Sequence, residues 1–178
     1  RYDPVANQAV NLIGGYVYGF CFDQSGNVYY SNQNGYITDL SGNVIYNGQT
    51  GVDHMHYDDA TQTFFLIQND EIITVQGSNV NGIFSSQGTG YQPLDFTFNN
   101  TTGKIIFCVG PTIASMDFDG SNLNYQQALT YQVETIGAFS AGTINPNITS
   151  PYSTYIIYND VYYVERLGGA PVLFETDS

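Results

Sequence analysis

The hydrophobic pattern of the chain is a series of short apolar runs separated by small polar residues. The runs are rich in valine, isoleucine, tyrosine and phenylalanine, which favour β-strands, and the gaps hold glycine, asparagine, aspartate and serine, which favour turns. No segment repeats apolar residues at the 3.6-residue spacing of a capped amphipathic helix. The pattern therefore predicts an all-β protein with almost no helix.

The apolar runs recur in four groups of four. The first run of each group ends in an aromatic residue followed by a small polar or acidic one, at Phe22-Asp23, Tyr57-Asp58, Phe98-Asn99 and Phe139-Ser140. Two more runs, a glycine-containing turn and a fourth run then follow. The tetrapeptide Ser-Gly-Asn-Val occupies two of the turns, at 25–28 and 41–44, where a tight hairpin needs residues that accept positive φ.

Tandem units of this size with four strands each are typical of β-propeller blades, which bury both faces against their neighbours. We predict an N-terminal arm over residues 1–15 and four blades of four antiparallel strands over 16–50, 51–90, 91–131 and 132–178. The blades form either a four-bladed ring or part of a larger ring. A β-sandwich of short strands is the alternative, but it does not require one turn pattern to recur four times.

The third group carries the clearest resemblance to a known family. Its Phe118-Asp119-Gly120-Ser121-Asn122 turn, after the run at 105–109, resembles the low-density-lipoprotein-receptor class B propeller repeat, and NHL-type repeats have a similar outline. The chain lacks the tryptophan of that family's Tyr-Trp-Thr-Asp tetrapeptide, and the family closes with six blades. The resemblance implies a propeller fold and an extracellular binding role, and it transfers no ligand site.

The net charge of the chain excludes some classes of binding partner. The chain has 3 Lys+Arg against 16 Asp+Glu, a formal net charge of -13, which repels nucleic acids and anionic lipid. Aromatic residues make up 15% of the chain, so it can bury a core, unlike a disordered acidic tail. No apolar stretch approaches the roughly 18 residues of a membrane span. The expected partners are other proteins, copies of the chain itself, or glycans.

Three N-glycosylation sequons, at Asn99, Asn100 and Asn147, favour an extracellular or cell-surface location. Each falls between the first and second strand of its predicted blade, so connectivity predicts that all three project from one rim. Cys21 and Cys108 are the only cysteines and are flanked by apolar residues, so we expect free core thiols and no disulfide.

Two sets of residues have the chemistry of metal ligands. His54 and His56, two apart on a strand, point to one face, and with Asp53 they could hold Zn, Cu or Ni. Calcium could bridge Asp58, Asp59, Asp117 and Asp119, although side-chain bonds that stabilise turns are the alternative role. No cofactor is expected, and calcium stays the open alternative.

The arm before the first blade carries the apolar residues Val10, Leu12 and Ile13. It could add a strand to the outer edge of the last blade, in its own chain or in a neighbouring one. The arm is therefore a candidate for self-association.

The sequence contains no Gly-x-Ser-x-Gly, His-Glu-x-x-His or phosphate-binding glycine motif. We therefore predict a non-enzymatic, glycosylated, self-associating extracellular module, with a structural, adhesion or coat role. A carbohydrate-binding module that uses tyrosine, asparagine and glutamine is the first alternative, because the chain has 16 tyrosines. A propeller hydrolase or lyase with paired carboxylates is the second alternative.

Overall fold

The computed structural model of the chain describes residues 13–48, 50–98 and 103–125 in full. It also describes the backbone of strand residues at 2–3, 8–9, 99, 135–139, 154–158, 161–165 and 172–176. The described strands are β1 (Tyr2–Asp3), β2 (Gln8–Ala9), β3 (Val17–Phe22), β4 (Val28–Asn32), β5 (Tyr36–Asp39), β6 (Val44–Asn47), β7 (His54–Asp58), β8 (Thr63–Gln68), β9 (Glu71–Gln76), β10 (Asn79–Ser85), β11 (Pro93–Asn99), β12 (Lys104–Val109), β13 (Thr112–Asp117), β14 (Asn124–Tyr125), β15 (Thr135–Phe139), β16 (Thr154–Tyr158), β17 (Val161–Glu165) and β18 (Val172–Thr176).

Strands β3 to β18 form four sheets of four strands, each built from strands consecutive in the chain. Sheet 1 contains β3 to β6, sheet 2 contains β7 to β10, sheet 3 contains β11 to β14, and sheet 4 contains β15 to β18. Sheets 1, 2 and 3 are antiparallel, and the described residues include no helix. The described part of the chain thus holds no helical segment that could cross a lipid bilayer. The all-β architecture follows the pattern of apolar runs.

Sheet 4 differs from the predicted antiparallel arrangement. Strand β15 pairs with β16 in parallel, with Thr135 opposite Thr154 and Phe139 opposite Tyr158, whereas β16–β17 and β17–β18 are antiparallel. A parallel pair requires a crossover of about a dozen or more residues, because the chain must return to the same end of the sheet. The segment 140–153, which connects the two strands, is long enough for that crossover.

The chain divides into two compact units, residues 1–69 with 73–82 and residues 70–72 with 83–178. Sheet 1 belongs to the first unit, sheets 3 and 4 belong to the second, and the residues of sheet 2 are divided between them. In the first unit β3 contacts β7, and in the second β11 contacts β15. Each contact joins the first strands of two successive sheets.

The core of the first unit lies between sheets 1 and 2. Its buried members are Cys21, Ile37, Val52, Met55, Phe64, Leu66, Ile73 and Val75. The rings of Tyr29 and Tyr57 pack on Phe64 at centroid distances of 5.1 and 4.6 Å. This is the face-to-face packing of sheets that tandem four-stranded units need to cover their apolar surfaces.

The core of the second unit is centred on β12 and β13. Ile105, Ile106, Phe107 and Cys108 are successive and all buried, so both faces of β12 are covered. The ring of Phe84 packs on Phe107 at a centroid distance of 4.5 Å. Burial of successive residues explains why this run is continuously apolar and does not alternate with polar residues.

Candidate interaction surfaces

Two turns of sheet 1 are closed by the same five-residue arrangement. In the β3–β4 turn, the Asn27 backbone N–H donates to Asp23 Oδ1 at 2.8 Å, and its side-chain amide donates to Asp23 Oδ2 at 2.6 Å. In the β5–β6 turn, Asn43 makes the same two bonds to Asp39, at 2.9 and 2.7 Å. These are the two sites of the repeated Ser-Gly-Asn-Val tetrapeptide. Both turns lie at one end of sheet 1, since connections β3–β4 and β5–β6 leave from the same side.

The β13–β14 turn of sheet 3 uses a variant of this arrangement. Asp117 accepts a hydrogen bond from the side-chain amide of Asn122, and Lys104 Nζ forms an ion pair with Asp117 Oδ1 at 2.6 Å. Asp119 accepts bonds from both the backbone N–H and the hydroxyl of Ser121, at 2.9 and 2.6 Å. The turn that carries the resemblance to the receptor repeat is therefore held together by its own side chains.

The hydrogen bonds in these turns favour the ionised form of the aspartates and lower their pKa values. The Asn27 and Asn43 side chains lower the pKa values of Asp23 and Asp39. The hydrogen bond from Lys104 is the main cause of the lowered pKa of Asp117. The hydrogen bond from the Ser121 side chain is the main cause of the lowered pKa of Asp119. Carboxylates bonded in this way stabilise turns, which is the alternative that the sequence left open beside calcium.

The other two calcium candidates also accept hydrogen bonds. Asp58 accepts from the Thr61 hydroxyl and backbone N–H, and Asp59 Oδ2 accepts from the Gln24 backbone N–H at 2.9 Å, which ties the β7–β8 turn to the β3–β4 turn. In the described ranges, no three His, Cys, Asp or Glu side chains come together as a metal site would require. A calcium site at these aspartates stays a prediction.

The histidine pair lies on β7, in the first strand of sheet 2. His54 is half-buried and His56 is exposed at its surface, while Asp53 is exposed just before the strand. The pKa of His56 is lowered, chiefly because surrounding protein atoms desolvate the imidazolium, while Asp58 acts in the opposite direction. The structure places the two imidazoles on alternate positions of one strand, as predicted. It supplies no third ligand from the described residues, so metal binding there stays a prediction.

Both cysteines are buried free thiols. Cys21 belongs to the core of the first unit and Cys108 lies on β12. Burial raises the pKa of each thiol to about 12. Neither is suited to nucleophilic chemistry, because the thiolate is the reactive form.

Of the three sequon asparagines, the structure describes the backbone of Asn99. Asn99 ends β11 opposite Lys104, so it lies at the tip of the β11–β12 hairpin. Asn100 and Asn147 lie outside the described residues. The prediction that all three project from one rim required a hairpin between β15 and β16, and the parallel pairing of these strands removes that basis for Asn147.

The N-terminal arm contains a small hairpin in which β1 pairs with β2. These strands form a separate two-stranded sheet and do not extend any of the four larger sheets. Val10 and Leu12 lie outside the described residues, and Ile13 is half-buried. A strand-donating role for the arm stays a prediction.

Among the described residues, exposed aromatic side chains are grouped along β3 and directly before it, where the sequence had not indicated a site. Tyr16, Tyr18, Phe20 and Phe22, named here the aromatic strip, are 78%, 52%, 59% and 55% exposed. Phe20 and Phe22 lie opposite Tyr30 and Val28 of β4. The expectation that blades bury both faces does not hold along β3, whereas β8 and β12 are buried on both faces.

The opposite face of β3 is fixed against the core. Gly19 and Cys21 are buried, and the Gly19 N–H donates to the Ser31 hydroxyl at 2.8 Å. A Cβ on Gly19 would lie 3.3 Å from the Asp53 carbonyl oxygen, so the close approach of the chain at this point favours glycine. The face of β3 opposite the aromatic strip is therefore anchored to the core.

The ring geometry of the strip bears on what it can bind. The rings of Phe20 and Phe22 are 5.6 Å apart between centroids, with an interplanar angle of 86°. Flat stacking on a run of sugar rings needs neighbouring aromatic rings that lie in one plane, so this pair does not form such a platform. Edge-to-face rings instead offer ridges and grooves into which protein side chains can interdigitate.

Comparisons with known proteins identify the architecture. No protein-family model matches the sequence, and no curated protein matches it. The structure is similar to the computationally designed Ika4 protein, with a TM-score of 0.61 and 11% identity over 96% of this chain and 100% of that chain. It is also similar to a nidogen/laminin complex, with a TM-score of 0.59 and 18% identity over 83% of this chain and 71% of that chain.

The similar chain in the nidogen/laminin complex is a β-propeller of the low-density-lipoprotein-receptor type. At these identities the similarity concerns the fold alone, and it supports a propeller-like fold for this chain. Since 191 chains of solved structures match, the similarity points to an architecture shared by many proteins and to no single activity.

Proposed function

We propose that the chain is a non-enzymatic, extracellular propeller module that acts as a structural, adhesion or coat component. In this proposal the four sheets are blades, and the molecule works by contacts with other proteins or with copies of itself. The observation that carries the proposal is the aromatic strip on β3. Three exposed aromatic side chains on β3, with a fourth directly before the strand, form a surface that soluble monomers rarely display without a binding role.

The properties of the strip support contact with protein. The aromatic rings lie on a strand whose other face is fixed by Gly19 and Cys21, so little conformational entropy is lost when a partner binds. Aromatic residues also dominate the energetically important centres of protein interfaces. The edge-to-face arrangement of Phe20 and Phe22 favours this reading over the carbohydrate-binding alternative.

The sequence composition supports an extracellular or cell-surface location. The sequon at Asn99 stands at the tip of a hairpin, where a glycan would not disturb strand pairing. A net charge of -13 with only 3 Lys+Arg suits a surface exposed outside the cell, and it disfavours nucleic-acid partners. We therefore propose a secreted or cell-surface protein that carries N-linked glycan.

Adhesion of coated beads tests the proposed function. Beads that carry the purified chain are mixed with uncoated beads, with one another and with a layer of cultured cells, and clustering or attachment is counted. We expect beads carrying the native chain to cluster or attach, and we expect Phe20→Asp to abolish the effect because it places a charge in the aromatic strip.

Val80→Asp is the matched control, because Val80 is 49% exposed on β10, outside the strip, and the substitution adds the same charge. Beads that neither cluster nor attach, or an equal effect of the two substitutions, would contradict the proposal. Attachment that free oligosaccharide removes and Phe20→Asp leaves intact would favour the carbohydrate-binding alternative.

A further inference from the structure

We infer that the occupant of the aromatic strip is the same strip of a second copy of the chain, related by a twofold axis. This inference rests on the proposed function, because it names the partner of the surface described above. In a twofold dimer the same patch on both subunits must complement itself. The strip meets that condition through its lack of charged side chains and its exposed apolar surface.

The charge distribution favours self-contact at the strip. Two copies of a chain with a net charge of -13 repel each other over most of their surface. The strip consists of tyrosine and phenylalanine, and its neighbours on the same face of sheet 1, Val28, Tyr30, Thr38 and Val44, are also uncharged. The nearest charge along the strand is Asp23, directly after Phe22. Two strips that run in opposite directions can therefore meet without placing like charges opposite each other.

The distribution of exposed apolar surface points to the same partner. Elsewhere in the described residues, exposed large apolar side chains are dispersed over several strands and turns. They are Leu40, Val44, Val80, Tyr91, Leu123 and Tyr125. The strip of a second copy offers an apolar surface of matching extent. Of these dispersed residues, Val44 lies in the same cross-strand row as Phe20, through Tyr30 and Thr38, and extends the contact.

The exposed area of the aromatic strip sets the expected affinity of the dimer. Aromatic side chains present about 200 Å² each, so the four exposed fractions amount to roughly 500 Å² of aromatic surface per copy. Stable complexes bury about 800 Å² per partner, so Val17, Val44 and nearby polar residues must contribute to the interface. We therefore expect a reversible dimer with a dissociation constant of about 1–100 µM.

Sedimentation velocity over a concentration series tests the inference on the full chain. The native chain is expected to pass from monomer to dimer as concentration rises. Phe20→Asp is expected to weaken dimerisation by at least about 30-fold, the effect of losing one central interface side chain. Val80→Asp adds an equal charge outside the strip and is expected to leave the dissociation constant within about threefold of the native value.

Cross-linking at Phe20 provides a second readout that does not depend on tolerating a buried charge. In a twofold dimer through the strip, Phe20→Cys brings two new thiols near each other, and mild oxidation should yield a covalent dimer. The native thiols do not compete, because Cys21 and Cys108 are buried. As a control, Val80→Cys should remain monomeric under the same oxidation.

The outcomes separate this inference from the proposed function. A native chain that stays monomeric, a dimer insensitive to Phe20→Asp, or growth beyond a dimer would overturn the twofold contact. If the chain is monomeric but coated beads still attach to cells through Phe20, the proposed function stands and the partner is a different protein. If neither dimerisation nor attachment depends on Phe20, the twofold contact and the proposed function are both wrong.

Discussion

The hydroxyl of Ser31 on β4 donates to the backbone carbonyl of Val52 at 2.7 Å, just before β7 begins. The same oxygen accepts the Gly19 N–H of β3 at 2.8 Å. One buried hydroxyl therefore joins sheet 1 to the segment that leads into sheet 2. The bond satisfies polar backbone groups at a place where side chains exclude water.

Ser31→Ala should lower the free energy of unfolding by about 1–3 kcal/mol, because it leaves buried backbone groups without their partner. Thr38→Val is the contrasting variant, since the buried Thr38 hydroxyl has no hydrogen-bond partner among the described residues. We expect it to be neutral or to stabilise by up to about 1 kcal/mol. Urea unfolding followed by circular dichroism measures both, and equal losses for the two variants would contradict the assignment.

Gly42→Ala should destabilise the chain by about 1–2 kcal/mol, because Gly42 has a φ of 87° in the β5–β6 turn. Gly51→Ala is the matched control: an added Cβ meets nothing within 4 Å at either glycine, and Gly51 does not have a positive φ. Its effect should stay within about 0.5 kcal/mol. A shift in the midpoint of thermal unfolding for Gly42→Ala no larger than that for Gly51→Ala would show that backbone conformation is not the cause.

His56 should make the fold less stable in mild acid. Its pKa is lowered in the folded protein, so the unfolded chain binds the proton more readily. Stability is therefore full above the ordinary histidine pKa and declines as pH falls through about 6.5 towards the folded pKa. His56→Gln should remove most of this decline, and His54→Gln should retain most of it. Urea midpoints measured between about pH 7.5 and pH 5 test the assignment; an unchanged decline in His56→Gln would refute it.

Cys21 and Cys108 should be inert in the folded protein. Burial raises both pKa values from 9.0 to about 12, which lowers the thiolate fraction about a thousandfold. A thiol-specific chromogenic reagent should detect no reactive thiol in the native chain and both thiols in urea. Rapid reaction of one thiol before unfolding would show that its surroundings open to solvent.

The sequence predicted the strands and turns well because their causes are local. The repeated tetrapeptide predicted a tight hairpin at 25–28, and the structure has a turn there. The bonds from Asn27 to Asp23 were not predicted, although both residues lie within five positions of each other. The parallel pairing of β15 with β16 was missed because an apolar run predicts a strand but not the direction of its partner. The length of the segment 140–153 was the available signal.

The aromatic strip was also missed, for a different reason. Tyr18, Phe20 and Phe22 alternate with the small residues Gly19 and Cys21, which is the pattern of a strand with one covered face. The prediction of blades buried on both sides overrode this alternation. The alternation of large and small residues within this one run was therefore a better predictor of its exposed face than the architecture of the whole chain.

The side-chain bonds of the 23–27 and 39–43 turns connect residues no more than four positions apart. Closing so short a loop costs little chain entropy, so these bends can form while the remainder of the polypeptide is still random coil. We therefore expect the first sheet to start folding at its bends and to zip inward from them, so that its register is fixed before distant segments arrive.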